Sequence, residues 1–508
     1  MNAVNLRQYW RIAAAAVLGL LLVAMFARGM GIRLNHDEQQ FVAAGRMLQL
    51  HGLLPYRDFP FFHTPILVWI DGAIDSHTDY LLLAGRGLSV AFGWISLCII
   101  FGMGLVLLRR LSPPARWGLS LAVCGLLFVN PIFAYAYFRA WNQSLPLLFM
   151  LLAIVCQWRG AATGKSGWFG LGGAALAFAI GTRISYAPLG LPFLVMIWFV
   201  PATSSTLRFR HMAVWCLGMA LGTAPELIVI AHAPAAFLFD NFSYNGPVNA
   251  AFRGSSASFW PALGAKAVFL LETILHPSTL ALLAAYLFVT TRMRHAASAP
   301  SYLARLILAL LPFAAVGALA PTPSYTQYYC PIVALLVVGV LAGLAVNLGT
   351  GDFRLRRRST VTVLIALAIG APFAIYYYAP GVAMLAAPST WEPCRMHADA
   401  MSIRSHVRSG KCLTIAPITA MEAGLDIYPP FVTGPFAWRT ARFLSDNQRR
   451  DYRFVGEKQL ERYLNSDPPA AVLVGYEGKL EKPFIEYAKK HAYQMADLAD
   501  GKSIWLKP

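Results

Sequence analysis

Long apolar runs, separated by short basic breaks, fill most of this chain. A helix needs about 17–25 apolar residues to cross a hydrocarbon core of ~30 Å. Eleven stretches read this way, near residues 10–30, 84–108, 117–135, 142–158, 168–183, 185–201, 212–231, 275–291, 302–320, 330–348 and 360–380. The fifth and sixth are short and meet at Arg183-Ile184-Ser185. Beyond residue 380 the pattern changes. Residues 413–416 and 471–474 read as short buried strands, and segments near 395–408, 457–464 and 482–491 as helices. The pattern predicts a polytopic α-helical membrane protein of about 11 transmembrane helices in residues 1–380. A small C-terminal α/β extracytoplasmic domain follows in residues 381–508.

Composition sharpens this picture. The chain is 57% apolar and only 13% charged, with a net charge of +18. A soluble domain carries about 25% charge. Residues 1–380 hold 25 Lys/Arg and 10 Asp/Glu, so they carry most of the excess. In a membrane protein such an excess records topology rather than a nucleic-acid surface, and no nucleic-acid partner is expected. With the N-terminus cytoplasmic, the cytosolic breaks hold Arg7/Arg11, Arg109/Arg110/Arg116, Arg159/Lys165, Arg208/Arg210, Arg292/Arg294 and Arg354/Arg356/Arg357/Arg358, with Asp352 as their one acid. The other loops and the C-terminal domain then face the periplasm of a bacterial inner membrane. Cys394 and Cys412 are the two cysteines of that outward domain, an oxidising place, and are expected to form a disulfide.

Six acids gather in the first outward loop, 31–83: Asp37, Glu38, Asp58, Asp71, Asp75 and Asp79. After Asn35-His36-Asp37-Glu38-Gln39, the residues Phe41, Ala44, Gly45 and Leu48 recur at helical spacing. That pattern predicts an amphipathic helix lying on the membrane surface and ended by His51-Gly52. The stretch Tyr56-Arg57-Asp58-Phe59-Pro60-Phe61-Phe62-His63-Thr64-Pro65 is dense in aromatic and titratable groups, and 66–70 re-enters the interface. Two readings of Asp37-Glu38 stand side by side. Acids at a helix N-terminus complement its dipole. Alternatively, one carboxylate takes a proton from an acceptor hydroxyl while the other orients it.

Asn35-His36-Asp37-Glu38-Gln39 after the first span, His63-Thr64-Pro65, Arg86 near the start of the second span, Gly181-Thr182-Arg183, and Tyr325-Thr326-Gln327-Tyr328-Tyr329-Cys330-Pro331 form an ordered set over roughly residues 10–350. In this the chain resembles the GT-C membrane glycosyltransferases, and more narrowly their protein O-mannosyltransferase and aminoarabinose-transferase branch (glycosyltransferase family 39-type). The resemblance implies an inverting transfer of a sugar from a polyprenyl-phosphate carrier at the outer face. The acceptor would be a lipid (lipopolysaccharide or lipid A), a polysaccharide or a protein hydroxyl. Asp37 matches the family's catalytic aspartate and Glu38 its partner. Arg57, Arg183, Arg139 and Arg253 are candidates for the donor phosphate, and His63, Tyr325, Tyr328 and Tyr329 for the sugar or phosphate. The aminoarabinose branch has an acid and a lysine where this chain has His63-Thr64, which implies that the sugar is read differently. No cofactor is certain; a divalent metal is left open, with His36, His63 and Asp58 as nitrogen and oxygen donors. Membrane lipids are the remaining expected partners. The competing readings are a polytopic transporter or flippase, and a glycan ligase without the aspartate mechanism.

Overall fold

The computed structural model describes residues 3–201, 203–254, 259–291, 298–349 and 352–508. Arg292 and Arg294, assigned above to a cytosolic break, lie outside the described residues. Seven described helices are long and apolar enough to cross a membrane singly: residues 8–31 of the first helix, Leu81–Leu107, Ser144–Thr163, Ser205–His232, Ala299–Leu319, Thr326–Gly349 and Phe353–Ala383. The pair Leu263–Leu275 and Pro277–Thr290, bent by 79°, makes an eighth candidate. Shorter helices occupy the remaining apolar stretches, at Pro113–Phe128, Ser166–Thr182 and 184–197. The break between the last two has a local cause. Arg183 leaves the helix in an extended conformation, and Pro188 follows one turn later.

Apolar helices have little hydrophobic reason to associate within lipid, so small residues and close backbone contact hold them. Ser205–His232 lies along Ser166–Thr182 so tightly that a Cβ on Gly218 would sit 1.9 Å from the Gly170 carbonyl. The loops carrying residues 35–41, 62–63, 135–143, 244–253 and 321–328 converge on one cavity at one end of this bundle. Alternate breaks along the chain therefore meet.

The chain's first four helices are α1 (Ala3–Gly31), α2 (His36–His51), α3 (Ile66–Asp75) and α4 (Leu81–Leu107), and of these α2 lines the cavity, through His36, Asp37, Gln40 and Phe41. α2 ends as the sequence indicates, with Gly52, at φ +62°, closing its C-terminus, and Asn35 is its N-cap. It does not lie on the membrane surface, however. Glu38 through Gly45 and Met47 are all buried. The short side chains of Ala43, Ala44 and Gly45 let α2 wedge between α3 and the C-terminal domain. Gly45 meets Gly72 of α3 backbone to backbone: a Cβ on Gly45 would lie 2.7 Å from both Asp71 Cβ and Gly72 N. On the other side the Ile418 amide donates to Gln39 Oε1 at 3.0 Å. Gly45→Leu is accordingly expected to lower stability by about 1–3 kcal/mol, the range for overpacking a tight contact. Thermal unfolding in detergent measures it, and an unmoved transition would mean that α2 and α3 do not touch.

The C-terminal domain carries a five-stranded sheet of order β2-β1-β3-β5-β4, with β1 Lys411–Leu413, β2 Asp426–Ile427, β3 Ala471–Val474, β4 Gln494–Asp497 and β5 Ser503–Leu506. β1 runs parallel to β2 and β3, and β5 antiparallel to β3 and β4. Helices Glu392–His406, Glu457–Leu464 and Lys482–Lys490 fall where the periodicity placed them. One apolar core joins this domain to the first loop, bringing Phe41, Ala44, Phe61 and Leu67 together with Met396, Ile418, Val432 and Leu473.

The expected Cys394–Cys412 disulfide is absent; both are free thiols. Cys412 is fully buried in β1. Helix Glu392–His406 turns Met396, Ala400 and Ile403 into the shared core. At about 100° per residue this carries Cys394 to the opposite side of the helix.

Candidate active site

A carboxylate pair at the start of a helix can serve chemistry only if the two groups are treated differently, and here they are. Asn35 caps α2: its side chain accepts from the Asp37 amide at 2.8 Å, and its own amide donates to Glu38 Oε2 at 2.9 Å. This reciprocal cap fixes the two acids on different sides of the first turn.

Glu38 points inward and is fully buried. Arg86 of α4 reaches it with both ends of its guanidinium fork, Nε to Oε1 and Nη2 to Oε2, each at 2.8 Å. The Ala140 amide donates to Oε1 at 2.9 Å, and Arg139 Nη1 lies 3.6 Å from Oε2. Arg86 Nη1 also donates to the Gly29 and Ile32 carbonyls, at 2.9 and 2.6 Å, satisfying acceptors at the C-terminal end of α1. Burial alone would raise the Glu38 carboxyl, but the charge and hydrogen bonds of Arg86 outweigh it and hold the group below its ordinary value. Both Glu38 oxygens are engaged with protein donors, which leaves no free acceptor facing a ligand.

Asp37 points the other way, into a cavity of about 420 Å³. Its side chain keeps 32% of its surface accessible, facing the cavity. Loss of water still pushes its carboxyl up from the ordinary value, against the pull of His36, Arg439 and Arg139. Among the described residues lining the cavity Asp37 is the one acid.

Most of the residues singled out from sequence line the same space: His36, His63, Arg183, Arg253, Tyr325 and Tyr328. Arg183, freed by the break after Ser166–Thr182, is buried. Its Nε donates to Ser185 Oγ at 3.0 Å, its Nη1 to Asn142 Oδ1 at 3.1 Å, and its Cζ lies 4.4 Å from the Tyr328 ring centroid. Arg253 Nη2 donates to the Tyr325 hydroxyl at 2.7 Å. His63 lies under Phe41, ring centroids 5.0 Å apart. Burial and the nearby Arg183 charge push the imidazole down to about 3, so it is neutral at ordinary pH.

Four sequence-level candidates take other places. Arg57 and Asp58 close on each other in the tight turn at 55–59, Nη2 to Oδ2 at 2.7 Å, away from the cavity. Asp58 also accepts from the Leu54 amide at 2.7 Å. Arg139 is committed to Glu38 and to the Arg33 carbonyl, 3.0 Å away, and stands behind the wall. Tyr329 packs against Phe269, ring centroids 5.8 Å apart, one helical step away from the facing Tyr328. With Asp58 withdrawn from His36 and His63, the donor set suggested for a metal is not assembled. Among the described residues no three His, Cys, Asp or Glu side chains gather to hold one.

The structure adds further lining residues. Tyr135 comes from the short helix Pro131–Ala136, Trp141 and Asn142 from the turn before Ser144–Thr163, and Tyr244 and Asn245 from the aromatic, polar stretch 237–246, which the sequence offers as a cover for an acceptor site. Phe436 and Arg439 come from the C-terminal domain, whose sequence carries no motif around them. The arrangement offers one carboxylate, three arginines, a neutral imidazole and aromatic walls. It can hold an anionic group with a ring beside it and remove a proton next to that ring.

No protein-family model matches the sequence, and no curated protein matches it. Solved structures that share the fold include two states of one protein. ArnT from Cupriavidus metallidurans bound to undecaprenyl phosphate superposes with a TM-score of 0.63 at 15% identity, covering 98% of this chain and 97% of that one. The apo state of the same protein gives 0.56 at 14% identity, covering 98% of each chain.

Proposed function

We propose that this chain, a polytopic membrane protein with a GT-C fold, is an inverting glycosyltransferase that uses a polyprenyl-phosphate sugar. The carrying observation is the split of the pair: Asp37 is the one acid facing a cavity otherwise charged by arginines, while Glu38 is locked behind it. The undecaprenyl phosphate held by the ArnT structure supports the choice of carrier. With the basic breaks in the cytosol, the cavity opens on the periplasmic side of a bacterial inner membrane.

In this reading the donor phosphate lies between Arg183 and Arg253, whose guanidinium forks suit phosphate oxygens. The sugar rests against the walls formed by Tyr135, Trp141 and Tyr328. The hydroxyl of a lipid, polysaccharide or protein acceptor approaches on the Asp37 side. Asp37 accepts the hydroxyl proton as the acceptor oxygen bonds to the anomeric carbon. The bond from that carbon to the phosphate oxygen breaks, its electron pair stays on the phosphate, and polyprenyl phosphate leaves. Glu38, held by Arg86, keeps α2 and therefore Asp37 in place. A transporter is less well served, because the facing carboxylate sits in a pocket at one end of the bundle rather than along a path through it.

Purified protein supplied with labelled polyprenyl-phosphate sugars and bacterial envelope lipids and glycans tests the reaction, and label moving to an acceptor is the expected result. Arg183→Gln is expected to weaken undecaprenyl phosphate binding about tenfold or more, the loss of one charge-assisted contact. Equal affinity would remove Arg183 from the phosphate site.

A further inference from the structure

Residues 434–440 bring the C-terminal domain against the cavity. Gly434, at φ +60°, turns the chain where a Cβ would lie 3.2 Å from Gln39 Cβ, and helix Pro435–Thr440 follows. The Tyr244 hydroxyl donates to the Phe436 carbonyl at 3.1 Å. The Phe436 ring meets His36 edge to face, centroids 5.3 Å apart. Arg439 is gripped by two aromatic faces, its Cζ 4.5 Å from the Phe436 centroid and 4.7 Å from that of Phe252. Among the described residues it forms no ion pair within 4.0 Å, and its buried Nε has no hydrogen-bond partner. The side chain is half-buried and firmly held, and a buried Nε left without a partner needs a reason.

The charges around Asp37 supply one. From its own helix come His36, 3.8 Å away, and Glu38. From the loop before Ser144–Thr163 come Arg139 and Tyr135, and from the segment after Ala299–Leu319 comes Tyr328. From the C-terminal domain come Arg439, and Glu477, which lies 4.0 Å from His36. Arg139 and Glu38 answer each other. Burial pushes the His36 imidazole down, so it is a poor counter-charge. The tyrosines are neutral at ordinary pH. Arg439, which also faces Glu477 and Tyr244, remains as the cation without an ion-pair partner within electrostatic reach of Asp37.

We propose that Arg439 is a positioning residue for the base: the guanidinium of the C-terminal domain keeps Asp37 in its carboxylate form, so the base is ready only when that domain is seated. The name "base" rests on the proposed transfer reaction, but the link between Arg439 and the charge of Asp37 does not.

The test therefore uses no sugar. A hydrophobic carbodiimide, dicyclohexylcarbodiimide, adds to protonated carboxyl groups. Labelling of the Asp37 peptide is followed by mass spectrometry against pH in the full-length protein in detergent. In Arg439→Gln the midpoint is expected to rise by about one pH unit, the effect of losing a nearby opposite charge. Arg439→Lys keeps the charge, and its midpoint should stay within a few tenths of the native one, with thermal unfolding reporting that each variant is folded. An unmoved midpoint in folded Arg439→Gln overturns the proposal. A full-unit rise in folded Arg439→Lys, where the charge persists, also overturns it. An equal rise in Arg253→Gln would show a diffuse field of the cavity and would remove the special role of Arg439. If the midpoint shifts as expected while Asp37→Asn still transfers sugar, the electrostatic link stands and the transferase reading falls.

Discussion

Asp37→Asn is expected to cut sugar transfer by about 100-fold to 10,000-fold, the usual contribution of a positioned general base. The amide has nearly the shape of the carboxylate and can still complete the first turn of α2, so the cavity should keep its form. What it lacks is a site for the acceptor proton. Donor affinity should stay close to native, because Arg183 and Arg253 remain. The combination is diagnostic: turnover falls and binding holds. A variant that transfers at the native rate would end the mechanism. The pH profile carries the same information. Desolvation raises the Asp37 pKa in the folded protein, so activity should fall as acid drops the pH through that raised value, above the range of an ordinary aspartate. The loss should be reversible as pH rises again.

The second large effect concerns stability. Glu38→Gln is expected to destabilise the protein by about 3–5 kcal/mol, because it leaves the buried Arg86 charge without its partner. Arg86→Met should cost a similar amount by stranding Glu38. The pair with both changes should recover much of the loss, since two apolar or neutral groups can share a site that one bare charge cannot. Unfolding by denaturant in micelles gives all three values, and strictly additive losses would contradict a direct buried pair. The sign with pH follows from the lowered folded-state pKa of Glu38. Its contribution is fully present above the unfolded value and disappears as pH falls through the folded one. Transfer should fail in the single variants as well, because Arg86 also holds the end of α1 through the Gly29 and Ile32 carbonyls.

Local signals in the sequence located much of this. Apolar run length and alternating arginines marked the helices, since both obey a simple solvent rule. The acids at its start, the apolar spacing and the closing His51-Gly52 defined α2, because such signals lie in a few adjacent residues. Arg183 and Tyr328 stood out as charged or aromatic groups beside apolar runs. The failures share a different origin. α2 has a helical apolar stripe, but its burial on the remaining sides comes from Gly72 and Ile418, distant partners that periodicity cannot name. Arg57 looked as available as Arg183, and only the turn that folds it onto Asp58 tells them apart. Arg439 is one arginine among many in a domain of ordinary composition. Its place beside the cavity depends on how that domain docks, which no short window contains.

One consequence lies in the order of synthesis. Asp37 and Arg439, at one cavity, are about 400 residues apart in the sequence. The ribosome therefore delivers the carboxylate before the later spans exist, and the far wall only after they have been threaded. Contacts so distant along the chain close late. During insertion the early helices can rest in the bilayer with the cavity unfinished. A chain that stalls or misthreads a span never gains Phe436 and Arg439. Correct membrane integration thus becomes a precondition of the pocket itself.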